Sequence, residues 1–88
     1  MKETIDIFKS LADKTRLKIA VYLASVGEVS CKEISKKFPL SQPTLSHHFS
    51  KLITAGVMLE RKEGVSHFYR LNEKYVKKSG LNLKQVKF

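Results

Sequence analysis

The chain is poor in the residues that mark several common function classes. It has one cysteine, Cys31, no tryptophan and two prolines among 88 residues. A single thiol cannot close an internal disulfide, so a disulfide-stapled secreted scaffold is excluded and a reducing compartment fits. No apolar run approaches the length of a bilayer span, and the opening MKETIDIFKS places acidic residues where a secretory leader needs an unbroken apolar stretch. The expectation is a cytoplasmic chain with no membrane attachment. Acidic residues are scarce as well: eight Asp and Glu stand against 17 Lys and Arg, a formal net charge of +9. That balance favours a polyanion, nucleic acid or an anionic surface, as partner.

The length predicts one small domain over residues 1–88, and a domain this small buries a modest share of its surface, so pairing with a second copy would add core. Basic residues are densest at the end, where residues 73–88 carry five against one acidic. Periodicity supplies the organisation. Ile5, Phe8, Leu11 and Ala12 recur at helical spacing and predict a short first helix. Asp13 stands where an N-cap would, and Leu17, Ala20, Val21 and Ala24, widened by Ile19 and Leu23, predict a mostly buried second helix ended by Gly27. Residues 30–33, SCKE, form a capping-box pattern in which Glu33 is expected to reach back to the Ser30 amide. A third helix follows, with Cys31, Ile34 and Phe38 on one face, stopping before Pro39.

Residues 41–52 read SQPTLSHHFSKL. Ser41 is the expected N-cap, and Pro43 is tolerable in a first turn whose amides lack intrahelical partners. Leu45, Phe49, Leu52 and Ile53 form the expected buried stripe, and Gly56 ends the helix. Pro43, His47, Ser50, Lys51 and Thr54 point the other way, with Thr44 and Ser46 on the flanks. A solvated helix face usually carries Glu and Lys; this one offers small hydrogen-bonding groups suited to close approach to base edges. Beyond it, VMLERK (57–62) and VSHFYRL (65–71) flank Glu63-Gly64 and predict a tight hairpin, with Lys62 at its tip and Arg61 just before it. The fold class expected is mainly α with a small β-hairpin, a winged helix-turn-helix with its wing over about 57–71. Asn72 is the expected cap of a last short helix through Tyr75, Val76 and Lys78. Gly80 interrupts it, and residues 81–88 of the basic segment 73–88 are expected as a strand, an extended arm or a disordered tail.

Residues 8–72 resemble the ArsR-type winged helix-turn-helix repressors. The likeness is carried by FKSLADKTRLKIAVYL, GEVSCKEISKKF and LSQPTLSHHFSKLITAGVMLERKEGVSHFYRLN, above all by S-Q-P-T-x-S-x-H followed at fixed spacing by A-G and R-K-x-G…Y-R-L. The resemblance implies a homodimer built from the first and last helices, with Ile5, Phe8, Tyr75 and Val76 as interface candidates, and a near-palindromic double-stranded DNA operator. It implies DNA contacts at Ser41, Gln42, Thr44, Ser46 and His47, though many relatives carry Arg where His47 stands. Geometry adds Ser50 and Lys51, and the basic wing residues Arg61 and Lys62 as phosphate contacts.

Other chemistries fit less well. Ser46 beside His47 lacks a third group to orient a base and an oxyanion nest, so no enzyme and no cofactor is expected. Adjacent His47 and His48 diverge by 100° on a helix and cannot easily grip one ion; His48 is expected as a packed, hydrogen-bonded imidazole. In the resembled family a C-x-C on the third helix often senses metals. Here the stretch is Ser30-Cys31-Lys32, so no metal is expected and Cys31 is a small core residue. Arg61 and Lys62 also admit a merely solubilising role. The alternative class is a winged-helix protein–protein interaction module, which a Glu-rich exposed helix or an acidic wing would have favoured.

Overall fold

The structure, a computed structural model, describes residues 1–87. Its elements are α1 (Lys2–Leu11), α2 (Lys14–Val26), β1 (Val29–Ser30), α3 (Cys31–Lys37), α4 (Gln42–Thr54), β2 (Met58–Glu63), β3 (Ser66–Leu71), α5 (Glu73–Lys77) and a 3-10 turn, Leu83–Gln85. The fold is the expected winged helix-turn-helix. One strand escaped the sequence reading: β1 makes the wing a three-stranded antiparallel sheet in the order β1-β3-β2. Two residues are too few for an alternating pattern to show.

The helix boundaries follow from local chemistry. The Asp13 carboxylate accepts from the Arg16 amide at 3.0 Å and starts α2, and Gly27, at φ 80°, ends it. Ser30 accepts from the Glu33 amide at 3.1 Å and starts α3. The return half of the expected box differs: Ser30 Oγ donates to Glu33 Oε1 at 3.3 Å, and Ser30 itself is taken into β1 opposite Phe68. Gly56, at φ 82°, closes α4, with its own amide on the Ile53 carbonyl and the Val57 amide on the Leu52 carbonyl, both at 2.9 Å. This pair of bonds is a Schellman motif, which needs the left-handed residue that glycine supplies.

The core gathers Ile7 and Leu11 of α1, Ile19, Ala20 and Leu23 of α2, Ile34 of α3, Leu45, Phe49 and Leu52 of α4, and Val57, Met58, Tyr69 and Leu71 from the wing. In α2 the residues read as widening the stripe, Ile19 and Leu23, are its centre, while Leu17, Val21 and Ala24 are half-buried. In α1 the buried line is Ile7, Ser10 and Leu11, so Ile5 and Phe8 face outward at 46% and 44% exposure. Ile53 is a further correction: at the edge of the α4 stripe it stays 37% exposed, because Phe49 and Leu52 already fill the contact with the body.

Residues 72–87 pack against the body more than expected. Asn72 does not cap α5 with its side chain; its Nδ2 donates to the Gly56 carbonyl at 3.0 Å and its amide to the Val57 carbonyl at 2.8 Å. Val76 lies in the chain's own core at 1% exposure, which removes it as an interface residue, and Tyr75 packs its ring over Gly56. Residues 81–87 form neither a strand nor a free arm: Leu83 is buried at 3% in the core, and Lys84 reaches Glu73 of α5 at 3.2 Å. Gly80, at φ 94°, lies beyond the end of α5 as expected, and burial of Leu83 then holds the following segment against the body.

Candidate nucleic-acid interface

Helix α4 owes its setting to a cap at one end and a polar clasp beneath it. Ser41 Oγ accepts from the Thr44 amide at 3.3 Å and donates to Thr44 Oγ1 at 2.8 Å, so these two hydroxyls shape the N-terminus. On the inner side His48, 13% exposed, sets Nδ1 3.4 Å from Arg16 Nη1 and 3.8 Å from Asp13 Oδ2. Arg16 Nε donates to the Ser10 carbonyl at 2.7 Å. One arginine thereby ties α1, α2 and α4 together. The Arg16 amide holds the Asp13 carboxyl below its ordinary range; desolvation, the next largest influence, opposes it, and the Arg16 and His48 charges add smaller lowering contributions. His48 is the packed imidazole expected.

The outer face of α4 is different in kind. Gln42, Ser46, His47, Ser50, Lys51 and Thr54 are all exposed, and the first four carry no carboxylate and no fixed positive charge. The ridge is bordered on each side by a cleft. Towards α1 a space of about 520 Å³ is lined by His47, Ser50, Lys51 and Thr54 together with Asp6, Lys9 and Arg16. Towards the wing a shallower one of about 300 Å³ lies between Ser46, Ser50, Ile53 and Thr54 and the wing residues Glu60 and Tyr69. Nothing in the spacing of α1 signals that Lys9, on its basic side, borders α4.

The wing has two faces, fixed by strand alternation. Glu60, Lys62, His67 and Tyr69 share the face turned to α4, where the Tyr69 and Phe49 rings lie 4.8 Å apart. Glu60 accepts on Oε2 from the Tyr69 hydroxyl at 3.0 Å and pairs with His67 Nδ1 at 2.8 Å. The His67 hydrogen bond, then that from Tyr69, lowers the Glu60 pKa, while burial first and Glu60 second push the Tyr69 phenol up. Lys62 is exposed beside them. The tip turns on Gly64 and Val65, one residue later than expected; Gly64 has φ 61° and Val65 is 98% exposed. Glycine at the first central position is the requirement of a type II′ hairpin turn.

Arg61 points to the opposite face. Its Nε and Nη2 donate to the two carboxylate oxygens of Glu28 at 3.1 and 2.8 Å, and Nη1 donates to Glu63 Oε2 at 2.7 Å. The guanidinium carbon stands 4.7 Å from the centre of the Phe68 ring. The Glu28 bonds, then that to Glu63, raise the Arg61 pKa further above its usual value, and the Arg61 hydrogen bonds in turn depress the pKa of Glu28. Expected as a phosphate contact, Arg61 is instead engaged by two carboxylates on the far side of the hairpin. The signal was available in part, since residues 61 and 62 of one strand must face opposite ways. The partner Glu28 was not, because it depends on β1.

No helix among the described residues is long and apolar enough to cross a membrane, and no group of three or more His, Cys, Asp or Glu among them is placed to hold a metal ion. Residues 13–58 match the model of the bacterial regulatory protein family arsR. The chain is 39% identical, over 93% of its length and 78% of the relative's, to an arsenical resistance operon repressor of Staphylococcus xylosus. It is 40% identical to an arsenic resistance transcriptional regulator of Pseudomonas putida over 76% of its own length, spanning 58% of that relative. Among solved structures it superposes on HlyU from Vibrio cholerae with a TM-score of 0.79 at 34% identity, covering 88% of this chain and 83% of that one. The curated relatives are named as regulators and repressors of transcription, not as enzymes.

Proposed function

Because the chain belongs to the arsR family of bacterial regulatory proteins, we propose that it is a DNA-binding transcriptional repressor, acting as a cytoplasmic homodimer that seats α4 of each copy in the major groove. The observation that carries this reading is the outward ridge of α4, where Gln42, Ser46, His47 and Ser50 present short donors and acceptors with no carboxylate among them. Base edges are read by such groups, whereas phosphates are held by charge. Lys51 and Lys62 stand to either side for the backbone, and the capped N-terminus of α4 adds its free amides, next to Ser41 and Thr44.

One copy reads little. A 13-residue helix is about 20 Å long and spans a few base pairs. Two copies with these helices about 34 Å apart meet successive major grooves on one side of the duplex, and the target is then a near-palindrome. The dimer uses α1 and the residue before it, where Met1, Ile5 and Phe8 lie four and three residues apart and are 90%, 46% and 44% exposed. Tyr75, half-buried on α5, borders the surface that remains after Val76 is withdrawn. The arsenical signal in the relatives' names is not carried over: this chain has one cysteine, half-buried, and a soft-metal site needs several converging thiolates or imidazoles.

The test is binding of the purified chain to a fluorescent duplex of random sequence across a salt titration. Affinity is expected to fall steeply between low and moderate salt. A flat response means the basic residues meet something other than DNA. Sedimentation at micromolar concentration is expected to show a dimer, and a monomer alone would contradict the paired-helix geometry.

A further inference from the structure

We infer that Glu28 and Arg61 form a strut that sets the angle of the wing against the body of the domain, so that Arg61 serves DNA binding by positioning the hairpin and not by touching phosphate. The inference rests on the DNA-binding reading above. Its first support is where the two residues stand. Arg61 on β2 faces Phe68 on β3, Phe68 faces Ser30 on β1, and Glu28 precedes Ser30 by two residues. All four therefore share one face of the sheet, and the arginine reaches across the central strand to the turn that follows α2. That turn is anchored, since Val29 beside Glu28 is buried at 6% exposure.

The second support is the state of the guanidinium. Each of its three nitrogens donates to a carboxylate, two to Glu28 and one to Glu63, and its carbon sits 4.7 Å from the Phe68 ring centre. Three of its five N–H groups are thereby taken, and a phosphate reaching the other two would approach from the side of the wing turned away from α4. The third support is the weakness of what otherwise holds the hairpin. β1 covers β3 only opposite Phe68 and Tyr69, while β2 and β3 run on together to Glu63 and Ser66, and Val65 at the tip is 98% exposed. The strut lies where this overhang begins. A planar fork suits it and a lysine does not, because one ammonium cannot donate in parallel to both oxygens of Glu28 while lying flat on a ring.

Two measurements on the full chain test the proposal, using the wild type, Glu28→Ala, Arg61→Lys and the double variant. Amide ¹⁵N relaxation without DNA reads the order of residues 61–67. Duplex affinity over a salt series reads function. Exposed ion pairs contribute little to global stability, so all four proteins are expected to stay folded. Both single variants are expected to lower the wing order and to weaken DNA binding by a similar factor, about two- to tenfold. The double variant is expected to bind no worse than the weaker single one, because both remove one device. Arg61→Lys keeps its charge, so a phosphate contact would survive it with little loss, and that result overturns the proposal. Tighter binding by Glu28→Ala, with a salt slope steeper by about one ion, overturns it too, since it would mean a phosphate ligand had been released. So does unchanged order of residues 61–67 in both singles. If the wild type binds no DNA, the functional reading fails by itself, while the relaxation data still decide whether the strut exists.

Discussion

The helix α4 and the wing are neighbours of similar polarity that treat their polar groups in opposite ways. Along α4 the groups on the inner side are paired: His48 with Arg16 and Asp13, and Ser41 with Thr44 at the cap. The outer side, from Gln42 through Ser50, is left exposed. On the wing, charges on both faces are engaged with each other, Arg61 with Glu28 and Glu63, and Glu60 with His67 and Tyr69. The helix is rigid through its backbone bonds and its buried stripe, so its surface is available for recognition. A two-stranded overhang has no such stiffness, and side-chain pairing supplies it. On the proposed function, this contrast would give sequence reading to the helix and a mostly mechanical role to the paired charges of the wing, with Lys62 and Arg70 exposed beside them.

The most damaging way to break the comparison is to disturb the joint between the two. Gly56 links α4 to β2 with φ 82°, and a Cβ there would lie 2.7 Å from Tyr75 Cε2. Gly56→Ala is expected to cost about 2–4 kcal/mol, the sum of left-handed strain and overpacking, read as a fall in urea midpoint. His47→Ala comes next. It leaves the fold intact and is expected to reduce the preference for the selected site over random duplex by about tenfold, the scale of one lost base contact. Loss of affinity for all sequences alike would instead make His47 a backbone contact. Asp13→Ala removes the α2 cap and the anion beneath His48, and about 1 kcal/mol of stability is expected to go with it.

The two smallest effects sharpen the contrast. Lys62→Ala is expected to weaken every duplex equally and to lower the salt slope by about one ion. The pH dependence follows from the depressed carboxyl pKa values of Asp13 and Glu60. A depressed folded-state value gives stability that is fully present above the unfolded value, about 4, and is lost as pH falls through the lower folded value. The melting temperature is therefore expected to decline below about pH 4, and less so in Asp13→Ala. An unchanged acid limb in that variant would show that the cap is not the titrating element.

Much of this architecture was legible in the residues because it depends on local chemistry. Asp13, Ser30 and Ser41 announce their caps, Gly27 and Gly56 their helix ends, and the apolar spacing of Leu45, Phe49 and Leu52 the buried side of α4. What escaped depends on distant pairing. β1 exists because β3 lies beside it, and only with β1 in place does Glu28 come within reach of Arg61, 33 residues away in sequence. Leu83 is likewise buried by contacts its neighbours in sequence do not predict. Helical spacing puts Ile5 and Phe8 on one face with Leu11, but the neighbouring Ile7 takes the core, and the two are left outward.

Selection of bound sequences from a random duplex pool tests the central claim most directly, because it reports base recognition, symmetry and spacing at once. The account predicts enrichment of a short motif present twice in inverted orientation, with centres about 10 base pairs apart, and loss of that motif with His47→Ala. Enrichment of nothing, or of a single motif with no inverted mate, would contradict it.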